Sequence, residues 1–95
     1  MSKLNAEQIG QRLKMVPDWK RRNKLISRTF EFKGFPESIK FVDRVAKAAE
    51  EINHHPDIDI RWNKVILTLT THDQNGLTEN DFVLAQRCDK VSSRI

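Results

Sequence analysis

The chain has 95 residues, 38% of them hydrophobic and 32% charged, with a formal charge of +4 from 17 basic and 13 acidic side chains. That length predicts a single domain over residues 1–95, with a core modest enough for partner subunits to matter. No apolar run approaches the roughly 20 residues of a membrane-crossing helix, Met1 to Asn5 lack the apolar core of a secretory signal, and the lone Cys88 excludes an intrachain disulfide; a cytoplasmic protein with no membrane partner is expected.

Asn5 and Gln8 have the spacing of a capping box, and Ile9 and Leu13 follow one turn apart, so a short helix is expected to about Met15, stopped by Pro17. Trp19 then opens an extended stretch that turns near Asn23 and returns from Leu25 to Lys33. β-Branched and aromatic residues, with Gly34 after them, argue for an antiparallel hairpin even though Ile26, Arg28, Phe30 and Phe32 do not alternate cleanly. The turn carries the basic run Lys20-Arg21-Arg22-Asn23-Lys24. Charges elsewhere are interspersed, so a solvated turn is favoured over a phosphate-contacting patch, and no specific nucleic-acid partner is expected.

Pro36 suits the first turn of a helix, and Ile39, Val42, Val45, Ala46, Ala49 and Ile52 then recur at three and four residues, which makes this the longest helix. Its polar side includes Glu50 and Glu51. Pro56 holds His55 out of helical geometry, so the helix must end around Asn53 to His54. Asp57 to Ile60 alternate as a short strand, and Asn63-Lys64 serves as a tight turn. A strand-like run from Trp62 to Thr71 places Val65, Leu67 and Leu69 on one face; if it stays regular, His72 shares the other face with Thr68 and Thr70. After the turn-rich His72-Asp73-Gln74-Asn75-Gly76, Thr78 is the expected N-cap of a last helix, with Asp81 as its third-position carboxylate. Cys88 falls on that helix's apolar stripe and reads as a buried side chain rather than a reactive thiol.

The element order α-β-β-α-β-β-α predicts an α+β fold, a four-stranded antiparallel sheet with three helices on one face. A bare sheet face and open edges in so small a domain point to self-association, as a homodimer or homotetramer.

All three histidines fall between Ala49 and Asp81, at the ends of regular elements, with Glu50 and Asp81 in the same segments. An imidazole ordinarily titrates near 6.5 and can give or take a proton at neutrality, so the set suits acid/base work. Zinc binding is a weaker reading. His54 and His55 are adjacent, and there is no His-x-x-x-His or Cys-x-x-Cys pair, so no metal is expected.

The ordered series Glu50, His54-His55-Pro56, Asn63-Lys64-Val65, Leu69-Thr70-Thr71-His72-Asp73, Gly76-Leu77-Thr78 and Asp81 resembles the signature of the pterin-4a-carbinolamine dehydratases. Asp18-Trp19 and Phe30-Glu31-Phe32 extend the resemblance, while Asn53 and Asn75 depart from commoner family forms, which carry Asp and Gly there. The resemblance implies a hydro-lyase that converts a 4a-hydroxytetrahydropterin to the quinonoid dihydropterin and water in tetrahydropterin recycling, with the pterin as substrate and no cofactor. It implies His55 and His72 as the acid/base pair and His54 as the residue that binds or orients the pterin. Glu50 and Asp81 would orient imidazoles or meet the amide-like edge of the ring, and Trp19 or Pro56 would wall its flat face, a core role for Trp19 being an equal alternative. It also implies a functional link to a pterin-dependent aromatic amino-acid hydroxylase. The competing reading is a non-enzymatic interaction module that binds a partner protein such as a transcription factor, as some members of that family do.

Overall fold

The computed structural model describes residues 2–95 as α1 (Ala6–Leu13), β1 (Lys20–Arg22), β2 (Leu25–Glu31), α2 (Phe35–Ile52), β3 (Asp57–Arg61), β4 (Lys64–Leu69), a 3-10 turn (His72–Gln74) and α3 (Glu79–Ser92). The strands form one antiparallel sheet in the order β1-β2-β4-β3, so the expected order of elements and the expected sheet are both present.

α1 opens on the expected capping box: the Asn5 side chain accepts from the Gln8 N–H, and the Gln8 side chain from the Asn5 N–H, each at 2.9 Å. It stops at Leu13, two residues before the expected end. Pro17 disfavours helical geometry at Val16, and the chain tightens ahead of it into bonds from Met15 N to Arg12 O and Val16 N to Leu13 O. In α2 the fully buried line runs through Ser38, Phe41, Val45, Ala48 and Ala49, rotated from the expected stripe; Val42 and Ile52 flank it and Ala46 is exposed.

Residues directly opposite across a strand pair share a face. Ile26 faces Leu69 and Phe30 faces Val65, all four buried on the side that packs against the helices. Arg28, opposite Leu67, breaks the apolar alternation of β2 without breaking the core. Its guanidinium lies 4.1 Å over the Phe30 ring and donates to Asp89 at 2.6 Å.

The second hairpin turns one residue earlier than expected, at Trp62-Asn63 rather than Asn63-Lys64, so Trp62 belongs to the turn and not to the strand. The cause is tertiary. Phe32 N–H donates to the Asn63 carbonyl at 2.8 Å and the Asn63 amide to the Phe32 carbonyl at 3.3 Å, which fixes the register and leaves Trp62 at φ 54°.

The opposite sheet face, with Ile66 and Thr68 half-buried and Thr29 exposed, has no helix over it. All five residues of the edge strand β3 are exposed. Ile58 and Ile60 sit opposite Leu67 and Val65, hence on the helix side, yet they remain 39% and 36% exposed because the helical cover stops short of that edge. Among the described residues no helix is long and apolar enough to cross a membrane.

Candidate active site

The C-terminus of α2 sets the first two histidines. Asn53 adopts the left-handed conformation, φ 51° and ψ 47°, that commonly closes a helix, and the His54 N–H reaches back to the Ala49 carbonyl at 3.0 Å. This six-to-one closure fixes the His54 backbone against the helix. Pro56 follows and sends the chain into β3, so His54 and His55 occupy the corner between a rigid helix and the sheet.

His72 is set by the other side of that corner. The core-facing alternation of β4 runs on past its last residue, Leu69, to Thr71, which bridges to Gly76 with backbone bonds of 3.0 and 3.3 Å. The chain between them is a 3-10 turn closed by left-handed Asn75, whose N–H donates to the His72 carbonyl at 3.0 Å. His72 therefore leads a short turn, as the turn-rich His72-to-Gly76 segment predicts. Its side chain is exposed.

Together these elements line one open cleft of about 210 Å³, walled by His54, His55, His72, Asn53, Thr70, Thr71 and Asp73. The three imidazoles are held differently. His54 is nearly enclosed, and its Nε2 lies 2.6 Å from Asp81 Oδ1. Asp81 has no exposed surface, and its Oδ2 accepts from the Thr71 hydroxyl at 2.8 Å and from the Thr78 N–H at 2.9 Å. A carboxylate can only accept, so His54 donates Nε2–H to it and keeps Nδ1 as the nitrogen not committed to Asp81. The Thr71 hydroxyl, having given its proton to Asp81, accepts in turn from the Thr78 hydroxyl at 2.8 Å. Asp81 thus caps α3 and anchors His54 at once.

His55 and Glu50, both more than half exposed, meet at 2.6 Å between Nε2 and Oε2. Glu50, in the last turn of α2, lies within reach of His55, so this carboxylate, too, takes Nε2–H and leaves Nδ1 free. Among the described residues the His72 ring has no hydrogen-bond partner.

Trp19 is elsewhere. It is buried in the core, edge-on to Phe30 with centroids 6.0 Å apart, and its indole N–H donates to Asp89 at 2.8 Å. A ring committed to packing and to Asp89 does not line the cleft, so of the two roles weighed for Trp19 it occupies the core one and not the pterin-stacking one. Pro56 is half-buried beside His55 but does not line the cleft; it shapes the corner. Asn53, Thr70, Thr71 and Asp73 line it without having been singled out as site residues. A readable signal existed for Thr71: a polar residue at the next core-facing position after Val65, Leu67 and Leu69.

No group of three His, Cys, Asp or Glu side chains among the described residues is arranged to hold a metal ion. The cleft instead offers two imidazoles oriented by carboxylates and a third open to solvent, an arrangement able to donate and accept protons on a bound small molecule.

The chain is similar to known proteins in both sequence and fold. Residues 2–91 match the sequence model of the family described as pterin 4 alpha carbinolamine dehydratase. A Chloroflexus aurantiacus protein named "Putative pterin-4-alpha-carbinolamine dehydratase" is 50% identical over 91 residues, which cover 96% of this chain and 98% of that one. A Nocardia farcinica protein of the same name is 51% identical over 89 residues, 94% of each chain. The crystal structure of a transcriptional coactivator/pterin dehydratase from Brucella melitensis superposes with a TM-score of 0.92 at 30% identity, over 96% of this chain and 99% of that one. A pterin dehydratase-like protein identified as a RuBisCO assembly factor in the alpha-carboxysome shares the fold at 24% identity and a TM-score of 0.68, over 79% of this chain and 92% of its own.

Proposed function

Because the chain belongs to the pterin-4a-carbinolamine dehydratase family, we propose that it removes water from a 4a-hydroxytetrahydropterin to give the quinonoid dihydropterin, in tetrahydropterin recycling. The observation that carries this reading is the meeting of His54, His55 and His72 on one cleft, from the end of a helix and the turn after a strand. The reaction needs two proton movements. The 4a-hydroxyl must be protonated as it leaves, and the N5 proton must be taken up as the C=N bond forms. One proton is given and one received, so a pair of imidazoles can serve both steps and regain its starting state through water.

His55 and His72 are the pair. Both are exposed to an incoming ring, and each properly placed group contributes about a hundredfold to ten-thousandfold. His54, fixed from beneath by Asp81, is the orienting residue: its Nδ1 meets the pterin while Nε2 stays with the carboxylate. Glu50 acts through His55. The reading needs no cofactor, since the pterin is the substrate, and it links the chain to whichever pterin-dependent hydroxylase generates the carbinolamine.

Stopped-flow absorbance on freshly generated 4a-hydroxytetrahydropterin tests this directly. Acceleration by the wild-type chain and its loss in folded His55→Ala/His72→Ala support the reading; wild-type rates in the double variant overturn it. The Brucella melitensis relative is described as a coactivator as well as a dehydratase, so a partner-binding role is the second reading, and a docking function would survive the same double substitution.

A further inference from the structure

The basic run Lys20-Arg21-Arg22-Asn23-Lys24, to which dehydration gives no role, spans β1 and its turn into β2. Arg21 and Lys24 line a cavity of about 220 Å³ together with Lys3, Asn75 and Gly76. Lys3 is placed there by two contacts. The Leu4 N–H next to it donates to the Leu77 carbonyl at 2.8 Å, and its stem lies on Gly76, where an added Cβ would come within 2.5 Å of Lys3 Cδ. Gly76 has no positive φ, so the close approach of Lys3, not the backbone conformation, is what favours glycine. Arg21 Nε donates to the Asn23 carbonyl at 2.9 Å, which ties the guanidinium to the turn. Among the described residues none of Lys3, Arg21 and Lys24 has an ion-pair partner.

This cavity and the histidine cleft share one end of the sheet. The order β1-β2-β4-β3 brings the end of β1, the start of β2, the end of β4 and the start of β3 side by side. Their walls are joined. Thr70, which lines the cleft, donates its hydroxyl to the carbonyl of Lys24, which lines the cavity, at 2.6 Å, and one loop sends His72 and Asp73 into the cleft and Asn75 and Gly76 into the cavity. Neighbouring strands lie about 4.8 Å apart, so passing from the β3–β4 pair to the β1–β2 pair covers about 10 Å. A pterin ring in the cleft has its C6 side chain as the flexible extension, and a few-carbon chain ending in an anion spans a distance of that order.

We propose that the Lys3–Arg21–Lys24 cavity holds an anionic group at the end of the pterin's C6 side chain, a phosphate or a carboxylate, so that the chain acts on acid-tailed 4a-hydroxytetrahydropterins in preference to neutral ones. The proposal rests on the dehydratase reading, and binding measured apart from turnover keeps the two separable. Calorimetry at low salt would compare three oxidised pterins: one with a neutral trihydroxypropyl chain, its terminal monophosphate, and one with a glutamate-ended tail. Three exposed cations predict a preference of roughly tenfold for an acidic tail over the neutral chain, and the tighter of the two acidic ligands identifies the anion. In Lys3→Gln/Arg21→Gln/Lys24→Gln the preference should fall below about twofold. In the charge-matched control Lys33→Gln/Lys40→Gln/Lys47→Gln, on remote exposed positions, it should persist. Equal binding of all three pterins by the wild type, or a preference kept by the first variant, overturns the proposal. Tail-dependent binding without any dehydration of the 4a-hydroxy forms counts against the activity and leaves the anion site standing; dehydration without tail preference does the reverse.

Discussion

The Nε2 of His54 lies 2.6 Å from Oδ1 of Asp81, a carboxylate with no exposed surface that also accepts the Thr71 hydroxyl and the Thr78 N–H. One side chain therefore ties a helix start, a strand end and a site imidazole together. Asp81→Ala removes the partner of three donors and should cost about 3 kcal/mol or more. Asp81→Asn keeps the shape but loses the charge, and should cost less in urea melts while still raising KM, because His54 is no longer held in the same tautomer. Equal stability of Asp81→Ala and wild type would show the network to be unimportant.

His55→Ala and His72→Ala should each slow dehydration by about a hundredfold to ten-thousandfold. As the proposed acid/base pair of one transition state, they predict a double variant that loses far less than the product of the two losses. Glu50→Gln perturbs an exposed contact and should cost much less than His55→Ala, while His54→Ala should raise KM more than it lowers kcat. Strictly multiplicative losses in the stopped-flow rates would separate His55 from His72.

Cys88 is fully buried in α3, and burial, with a smaller contribution from the Asp89 charge, pushes its thiol up from 9.0 to about 12. Below pH 9 the thiol is neutral in both states. Between about 9 and 12 the unfolded chain ionises first, so this residue's share of stability is lost as pH rises through that window. Urea midpoints should fall more steeply from pH 8 to pH 10 in the wild type than in Cys88→Ala. Iodoacetamide should label the thiol after unfolding and spare it in the native protein.

β3 presents an unpaired edge, and Ile58 and Ile60 extend the apolar face of the sheet beyond its helical cover. A second copy added at this edge would satisfy the backbone and cover both side chains. Light scattering at micromolar concentration should give a mass above that of the 11.1 kDa chain, and Ile58→Lys/Ile60→Lys should shift it toward one chain. A wild-type monomer would sink this expectation.

Much of this was legible in local pattern. The Asn5–Gln8 spacing, the restriction of Pro56 on His55 and the alternation of Val65, Leu67 and Leu69 act over a few residues, and the elements they imply are all present. The ordered histidine series was legible as a family signature, and residues 2–91 match that family. What failed depended on distant partners. Trp62 has the composition of a strand residue, but Phe32, thirty residues earlier, bonds Asn63 and moves the turn onto it. β2 is a strand despite Arg28, but the residue that takes up its charge, Asp89 on the last helix, is sixty-one positions away and was not legible.

The sequence by itself determined which residues are candidates for proton transfer, because that chemistry demands particular side chains, and it determined most elements, because helices, caps and turns are set by near neighbours. The tertiary structure decided which of those residues meet. It put Trp19 into the core with Asp89, drew Thr71 into the cleft wall and set Asp81 beneath His54. The Trp19 and Asp81 outcomes follow from how α3 packs against α2 and the sheet, and packing depends on shape and burial across the whole chain rather than on near neighbours.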